Sequence, residues 1–222
     1  MEDVRDTRQS PVHELLDVHR PHWSSVGGAT IARRVQDLRA ETAHLATVAL
    51  CDFSTLPKLG LKGPGAAGWL SRQGVTVPSG IYDTARPVDG GLIARVGVDE
   101  FFLEDGVAAR LRDQLDKADA LAWQVERQDA SFLLAGPEAS VVMAQTCGVD
   151  VVREAPDRLL MTRVAGVSCS ILPRAHGDGR LYRLWLDPSY AVYLWEQLTQ
   201  IVTELGGGIV GVDCVAPGMF QE

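Results

Sequence analysis

From residue 55 onward, apolar and polar positions follow one another in the same order twice. Each time an apolar run reaches a Gly-Pro pair, a helix-like segment of about ten residues follows and ends at a glycine, Gly74 or Gly148. Proline is tolerated in the first turn of a helix because its missing N–H would have no partner there, and glycine is favoured just past the last turn. The pattern therefore predicts a strand followed by a helix in each copy.

Two further strands, a second helix and a closing strand complete each predicted copy. The predicted segments are strands 79–86 and 91–103, helix 106–118 and strand 120–128 in the first copy, and strands 158–172 and 180–186, helix 188–205 and strand 208–215 in the second. This order, β-α-β-β-α-β, is that of the split-βαβ or ferredoxin-like unit.

Matching letters support an internal duplication. The segment LKGPGA (61–66) matches LAGPEA (134–139), and FFLEDGVAARLRDQL (101–115) matches LWLDPSYAVYLWEQL (184–198), in the same order. The sequence therefore predicts an α+β fold of two ferredoxin-like units, with repeat one at about 55–128 and repeat two at about 129–216. Two such units are expected to pack about a pseudo-twofold, and a groove between them would be a natural small-ligand site.

The N-terminal residues have a different composition. Residues 1–28 are mostly polar and end in Gly27-Gly28, so we predict a polar tail with a short helix at 12–18, followed by a single larger domain at 29–222. Segment 31–48 is compatible with either a helix or an extended strand.

Composition narrows the class of protein. Of the 222 residues, 46% are hydrophobic and 23% charged, as in globular proteins, and 21 basic against 29 acidic residues give a net charge of −8. An acidic chain is a poor phosphate binder, so no nucleic acid partner is expected. No apolar run reaches the ~18 residues of a membrane span, and MEDVRDTRQS is not a secretory signal. We therefore expect a cytoplasmic protein without a membrane partner, whose four separated cysteines are reduced, buried thiols.

The known sequence motifs for cofactor, metal and catalytic sites do not identify a function for this chain. GPGAAG (63–68) is literally a G-x-G-x-x-G with Asp83 at the spacing of a ribose-binding acid, but its repeat counterpart GPEASV lacks the later glycines, and Pro64 removes an amide that would face a pyrophosphate. The GPGAAG segment is therefore interpreted as part of the repeated strand–helix unit rather than as a dinucleotide-binding loop. The cluster of His13, His19 and His22 has no accompanying ligand motif, so no metal site is predicted. No catalytic motif is present and no catalytic residue is predicted.

The stretch LCDFSTLPKLGLKGPGAAGWL (50–70) resembles the start of the folate-binding domain of the glycine-cleavage T protein and its relatives. YDTARPVDGGLI (82–93) and WEQL (195–198) continue the match, which covers roughly residues 40–205. The matching positions are Asp52 and Ser54, Gly63, Leu70, Tyr82 and Gly90-Gly91. The resemblance implies the duplicated folate-binding fold of the aminomethyltransferase type.

The same resemblance implies a set of folate-binding residues. The family's Arg-Thr-Gly-Tyr-Thr-Gly-Glu element corresponds to PRAHGDG (173–179), where Arg174 is retained and Asp178 stands for the pterin-binding Glu. Together with Tyr82, these residues are the candidate folate contacts. A solvated turn is the competing role for Asp178, and Asp52 with Ser54 is equally suited to capping a turn.

Departures from the T protein pattern change the expected function. The family follows its Gly-Gly-hydrophobic pair with two Asp, one of them catalytic, whereas this chain has Ala94 and Arg95 there. The further C-terminal domains of T protein also have no counterpart within the 222 residues. The chain looks more like the γ subunit of heterotetrameric sarcosine oxidase, which has an early Ser-Pro and an apolar-acid-aromatic element such as Val98–Phe102.

Three functions remain open at this point. The first is a non-catalytic γ-type subunit of a tetrahydrofolate-linked oxidative demethylase acting on sarcosine or another N-methyl amino acid or amine, docked on larger flavin-containing subunits. It would carry no cofactor of its own, although tetrahydrofolate is possible. The second is a stand-alone tetrahydrofolate-binding one-carbon transfer protein, and the third is a scaffold protein without a ligand. The charge-poor helix at 188–205 is the predicted partner interface, through Tyr190, Tyr193 and Trp195.

Overall fold

The computed structural model describes residues 7–88, 90–114, 121–176 and 179–217, and the fold is mixed α+β. Two compact units are present. Unit 1 combines the described residues of Met1–Thr55, Asp129–Pro156 and Met161–Glu222, and unit 2 combines those of Leu56–Gln128 and Asp157–Leu160. Unit 1 is therefore discontinuous in sequence, and unit 2 is inserted within it.

The helices and strands follow one another along the chain in alternating groups. They are α1 (His13–Asp17), β1 (His22–Val26), β2 (Ala29–Arg34), α2 (Leu38–Leu45), β3 (Ala49–Asp52), β4 (Lys58–Lys62), α3 (Ala66–Arg72), β5 (Thr84–Ala85), β6 (Leu92–Gly97), β7 (Glu100–Glu104), α4 (Gly106–Arg112), β8 (Trp123–Val125), β9 (Ala130–Ala135), α5 (Ala139–Thr146), β10 (Leu160–Val164), β11 (Val167–His176), β12 (Gly179–Leu186), α6 (Ala191–Glu204), β13 (Gly208–Ile209) and α7 (Val212–Val215). A 3₁₀ turn, Pro188–Tyr190, leads into α6.

Unit 2 is an antiparallel sheet covered by two helices. Its strand order is β5-β6-β7-β4-β8. Helices α3 and α4 supply side chains to one apolar core that also contains the inward residues of β4 and β7, such as Leu59, Leu61 and Phe101. Burying a large apolar side chain stabilises a fold by about 1.5–3 kcal/mol, so this core accounts for the unit's compactness.

Unit 1 has the strand order β10-β11-β12-β9-β3-β13, with β13 parallel to β3. One face of this sheet packs against α6, where Phe132 of β9 meets Trp195 edge-to-face at 5.0 Å between ring centroids. The inward stripe of α6 is fully apolar, and its buried members are Ala191, Leu194, Trp195, Leu198 and Val202. This stripe has the period expected of a helix lying on a sheet.

The predicted element order is found in both units with these differences. Each of the predicted strands 91–103 and 158–172 is two strands, β6 with β7 and β10 with β11, whereas the predicted strand 79–86 is reduced to the two residues of β5. The predicted strand 208–215 is a strand at 208–209 and a helix at 212–215. Within the predicted helix 106–118, α4 ends at Arg112, and residues 115–118 lie outside the described residues. The strand beside β9 is β3, which precedes unit 2 in sequence. The α+β fold is confirmed, and the internal duplication stays a prediction.

Two glycines make the same close backbone approach in the two units. Gly63 follows β4 with φ +125°, and Gly136 follows β9 with φ +112°. A Cβ at Gly63 would lie 2.3 Å from the Leu121 carbonyl oxygen, and one at Gly136 would lie 2.7 Å from that of Thr47. Those same carbonyls accept the amides of Gly65 and Glu138, each at 2.9 Å. These matching contacts favour the predicted duplication.

The N-terminal segment, expected to be a polar tail, is packed where it is described. Val12 and Leu16 of α1 are buried, and β1 pairs with β2 as a hairpin. The segment 31–48, left open between helix and strand, contains both, β2 and then α2. Asp37 caps α2 by accepting the amides of Arg39 and Ala40.

A buried carboxylate anchors α2. Glu41 is fully buried, and its two carboxylate oxygens accept the amides of Val35 at 2.5 Å, Gln36 at 2.9 Å and Gly211 at 3.2 Å. Hydrogen bonds from backbone amides to a charged acceptor are stronger than neutral ones. Glu41 therefore ties the β2–α2 connection to the turn before α7 within unit 1.

Replacing Gly136 with alanine should destabilise the protein by about 3 kcal/mol, because an L residue is strained at this φ and its Cβ meets backbone atoms. The measurement is urea unfolding monitored by tryptophan fluorescence. Gly148→Ala is the matched control, since a Cβ there meets nothing within 4 Å. Equal stability of the two variants would contradict this account of Gly136.

Candidate functional site

Tyr82 is held in a conformation that non-glycine residues rarely adopt. Its φ is +72° and its side chain is half-buried. Two backbone hydrogen bonds fix it: its amide donates to the Arg95 carbonyl at 2.7 Å, and its carbonyl accepts the Leu159 amide at 2.8 Å. Such strain costs about 1–3 kcal/mol and persists where surrounding structure enforces it, often at functional sites. Tyr82 remains a candidate contact residue of unit 2.

Arg95 stands where the resemblance to the T protein family would place an acid, and its side chain hydrogen-bonds to backbone carbonyls instead. Its guanidinium donates to the carbonyls of Ser79 at 2.7 Å and of Val98 at 2.5 Å, and its Nε donates to the Gly97 carbonyl at 3.3 Å. It also lies 5.5 Å from the centroid of the Phe101 ring. Ala94 beside it is fully buried in β6. Arg95 therefore binds the loop before Tyr82 to the β6–β7 turn, and offers no proton acceptor.

The other two candidate folate contacts differ in how far the structure describes them. Arg174 lies on β11 of unit 1, opposite Leu181 in the ladder, and is half-buried. Asp178 lies outside the described residues, as does Gly177 before it. Tyr82 belongs to unit 2 and Arg174 to unit 1. All three assignments stay predictions.

Asp52 and Ser54 form a buried turn at the end of β3. One Asp52 carboxylate oxygen accepts the Ser54 amide at 3.0 Å and its hydroxyl at 2.6 Å. The Ser54 hydroxyl oxygen accepts the Ser131 amide at 3.0 Å. These are the contacts of an Asx turn that also links β3 to β9.

An arginine that sequence reasoning missed lies beside this turn. Arg183 is 8% exposed, and its guanidinium lies 4.0 Å from the centroid of the Phe53 ring and 5.7 Å from that of Trp185. In the ladder it stands opposite Leu133 of β9 and Leu172 of β11. The available signal was an arginine in the middle of the strand pattern LYRLWL (181–186), where strand alternation places it on the same face as Trp185.

The three predicted interface residues do not share one surface: Tyr190, just before α6, and Tyr193 are exposed, whereas Trp195 is buried. Tyr190 and Tyr193 are 55% and 47% exposed, and the Tyr193 hydroxyl donates to the Ala165 carbonyl at 3.2 Å. Trp195 is 2% exposed and packs in the core of unit 1. Its indole therefore faces Phe132 rather than the surface, because the helical period places position 195 on the inward stripe. The surface that could meet a partner keeps the two tyrosines.

Other chemical groups are structural where they are described. No cluster of His, Cys, Asp and Glu among the described residues could hold a metal ion, and His13 stacks on Trp23 at 4.3 Å. In unit 2, Lys58 and Glu104 face each other across β4 and β7 as a buried ion pair at 3.7 Å. No helix within the described ranges is long and apolar enough to cross a membrane.

Burial keeps three of the cysteine thiols, those of Cys51, Cys169 and Cys214, protonated. Burial raises the pKa of Cys169 to about 12 and that of Cys214 to about 11. Burial, with the nearby Asp52 carboxylate, raises the pKa of Cys51 well above its usual range. A thiol must ionise to act as a nucleophile, so these three cysteines are unreactive at neutral pH.

Comparison with solved structures identifies the class of fold. The chain is similar to the glycine cleavage system aminomethyltransferase T from Bartonella henselae, with a TM-score of 0.72 and 17% identity. That match covers 93% of this chain and 60% of that protein, so this chain spans well under two thirds of its length. The fold is therefore that of the aminomethyltransferase folate-binding type.

A second similar structure matches this chain over nearly the full length of both chains. A chain of the heterotetrameric sarcosine oxidase from Corynebacterium sp. U-96, solved in complex with pyrrole 2-carboxylate, superimposes with a TM-score of 0.67 and 21% identity. The match covers 90% of this chain and 97% of that chain. No protein-family model matches this sequence, and no curated protein matches it. At these identities the likeness shows the fold.

Stability should fall as pH rises above 9. The folded pKa of Cys169 is raised to about 12, so the folded chain keeps this proton while the unfolded chain, with a thiol pKa near 9, loses it. Below pH 9 both the folded and the unfolded chain keep this proton, so the contribution of Cys169 to the free energy of unfolding is constant. As the pH rises from 9 towards 12, this contribution decreases by about 1.4 kcal/mol per pH unit. Urea unfolding of native protein and Cys169→Ala between pH 8 and 11 measures this.

The Cys169→Ala variant should show a shallower decline than the native chain, whatever its absolute stability at pH 8. Parallel declines in the two proteins would show that Cys169 keeps an ordinary pKa in the folded state.

The purified chain should lack aminomethyltransferase activity, because Ala94 and Arg95 replace the acidic pair and the Arg95 guanidinium is engaged by backbone carbonyls. The assay is methylene-tetrahydrofolate formation from tetrahydrofolate and an aminomethyl donor. Arg95→Asp tests whether restoring a carboxylate alone confers activity, and we expect it not to. Turnover well above background by the native chain would contradict this prediction.

Proposed function

We propose that this chain is a non-catalytic, γ-type subunit of a tetrahydrofolate-linked oxidative demethylase that acts on sarcosine or a related N-methyl amino acid. One observation carries the proposal: the match to a chain of heterotetrameric sarcosine oxidase covers 97% of that chain, whereas the match to aminomethyltransferase T covers 60%. A fold that matches nearly all of a sarcosine oxidase chain supports a subunit role better than a fold that matches only part of a transferase.

The chemistry of unit 2 supports a role without catalysis on this chain. The strand position that carries an acid in the T protein family is Arg95, which braces a loop. The buried Lys58 and Glu104 neutralise each other, and burial raises the pKa values of the Cys51 and Cys169 thiols. Oxidation would therefore take place on larger flavin-containing subunits, and this chain needs no cofactor of its own.

Folate binding on this chain is the second part of the proposal. Tyr82 is held at a strained φ by two hydrogen bonds, and strain of this kind is maintained where a side chain must be presented in one direction. Tetrahydrofolate bound near Tyr82 would accept the one-carbon unit released by demethylation. A stand-alone folate-binding transfer protein is the alternative that this same observation favours.

The outer face of α6 is the proposed docking surface for the larger subunits. Its exposed aromatics, Tyr190 and Tyr193, flank Val192, which is 43% exposed, and the helix carries two charges, Glu196 and Glu204. Exposed aromatic residues with few charges are typical of interface cores.

The proposal is tested by purifying the tagged chain from its native cells and assaying N-methyl amino acid oxidation in the purified material. We expect flavin-dependent oxidation of sarcosine or a related substrate to co-purify in stoichiometric amount. A chain that elutes alone, in cells whose demethylase activity survives deletion of its gene, would leave the subunit role without support.

Tyr193→Glu should weaken this association by about thirtyfold or more, because truncating an aromatic anchor costs about 2 kcal/mol and the new charge must be desolvated. Gln200→Glu is the matched control: it adds the same charge to an exposed position of the same helix. Gel filtration of the co-expressed proteins is the readout, with thermal melting to confirm folding. Undiminished co-elution of a folded Tyr193→Glu chain would exclude this face.

A further inference from the structure

Helices α5 and α6 lie side by side on one face of the unit 1 sheet. The Ser140 hydroxyl of α5 lies 2.9 Å from that of Tyr182 on β12. Trp195 of α6 packs edge-to-face on Phe132 of β9. Phe132 stands opposite Leu184 in the ladder, two residues after Tyr182, so both rings point to the same face of the sheet. The two helices also contact each other, and their outward sides therefore form one surface of unit 1.

This outward surface carries little charge. Helix α5 contains no charged residue, and α6 contains two, Glu196 and Glu204, both of them exposed. Apolar and aromatic side chains are exposed instead, among them Val141 of α5 and Val192 and Tyr193 of α6. Such a composition is typical of an interface core. We name this surface the helix face, and its members are Val141, Ala144, Val192, Tyr193, Glu196 and Glu204.

A cavity opens beside the helix face, at the end of α5. Its volume is about 320 Å³, and it is lined by Ala144 and by the mostly apolar segment 147–152. Among the described residues that line it, the charged one is Asp150, which forms an ion pair with Arg153 at 3.1 Å. A volume near the lower limit of small-molecule pockets, roughly 300 Å³, has room for an apolar side chain. Ala144 is exposed and belongs to both the helix face and the cavity wall, so the two are contiguous.

The β10–β11 turn connects Tyr193 to the cavity. The Tyr193 hydroxyl donates to the Ala165 carbonyl at 3.2 Å, and the Ala165 amide donates to the Thr146 carbonyl at 2.8 Å. Cys147, which follows Thr146, pairs with Val164 beside the same turn and lines the cavity. Tyr193 is therefore held in place by the fold itself. An anchor that is already ordered loses less conformational entropy when a partner binds.

Charge restricts what can occupy this surface. Residues 184–222 contain no Lys, Arg or His, and their acidic residues are Asp187, Glu196, Glu204, Asp213 and Glu222. Nucleic acid and anionic lipid would be repelled by this charge. A second copy of the chain in an isologous contact would present the same acidic patch to itself. A protein surface with basic residues around an apolar centre matches both the charge and the composition of the helix face.

We propose that the helix face and the adjoining cavity bind a segment of a larger partner subunit in which an apolar side chain is flanked by Lys or Arg. The apolar side chain fills the cavity, and the basic residues pair with Glu196 and Glu204. The identity of the partner as a demethylase subunit rests on the proposed function, whereas the chemistry of its segment is argued from this surface.

Two substitutions test the cavity and the charge separately. A Cβ at Gly148 meets nothing within 4 Å, so Gly148→Trp adds bulk at the cavity, and Gly148→Ala is its matched control. Glu196→Lys reverses a charge of the helix face, and Glu14→Lys makes the same change at an exposed position of α1 in the same unit. The tagged full-length chain is purified from its native cells. The protein that co-purifies is then titrated calorimetrically with each variant, and thermal melting reports folding.

We expect the native chain to bind this protein with an affinity that falls as the salt concentration rises. Gly148→Trp should weaken binding about tenfold or more, because the anchor side chain loses its pocket. Glu196→Lys should weaken binding about threefold to tenfold and reduce the dependence on salt. The two control variants should bind as the native chain does.

The chemistry of the bound segment is read by photo-cross-linking from a benzophenone side chain at Val152, which lines the cavity. The captured peptide should contain Lys or Arg near an apolar residue. The proposal is overturned if folded Gly148→Trp and Glu196→Lys both bind with native affinity, if the captured peptide has no basic residue, or if the chain has no protein partner in its cells. A dimer of the chain that Gly148→Trp dissociates would make a second copy the occupant and would overturn it as well.

Failure of this surface can be distinguished from failure of the subunit role. If the co-purifying protein lacks N-methyl amino acid oxidation activity but binds both variants more weakly, the helix face is the docking surface and the demethylase role fails. If demethylase activity co-purifies equally with the native chain and both variants, the subunit role stands and this surface is excluded.

Discussion

After β4 in unit 2 and after β9 in unit 1, the backbone passes so close to a neighbouring carbonyl oxygen that no side chain would fit. Gly63 and Gly136 make this approach in the same way, with φ above +110°, and the same carbonyls, those of Leu121 and Thr47, accept the amides of Gly65 and Glu138. The contact fixes the backbone just before α3 and α5 begin. Leu121 precedes β8, which pairs with β4, and Thr47 precedes β3, which pairs with β9, so each contact comes from the segment that leads into a neighbouring strand.

The two units use their charged groups differently. Unit 2 has Arg95 engaged by backbone carbonyls and a neutralised Lys58–Glu104 pair, so these charged groups hold loops and strands together. In unit 1, the buried Glu41 accepts three backbone amides, and the Arg183 guanidinium lies against the rings of Phe53 and Trp185.

The fold class and most element positions could be predicted from the sequence because they depend on local periodicity and on turn residues. The Gly-Pro signal predicted both helix starts, and the apolar stripe of α6 predicted its buried face. Trp195 was expected at a partner surface but lies in the core, since composition alone does not separate the inward and outward positions of a helix. Residues 1–28 were expected to be a polar tail, yet among its described residues Val12 and Leu16 are buried, because a few apolar side chains can anchor a mostly polar segment.

The sequence by itself determined which residues are chemically available: an acidic chain, a resemblance to the folate-binding fold, and an arginine where that family has an acid. The tertiary structure decided what those residues do. Pairing of β3 with β9, and of β9 with β12, brings Phe53 against Arg183, which lies 130 positions further along the chain. Strand pairing over such a separation depends on loop closure and sheet register, and neither leaves a signal in a local pattern of residues. The contact between Phe53 and Arg183 is therefore a property of the folded chain alone.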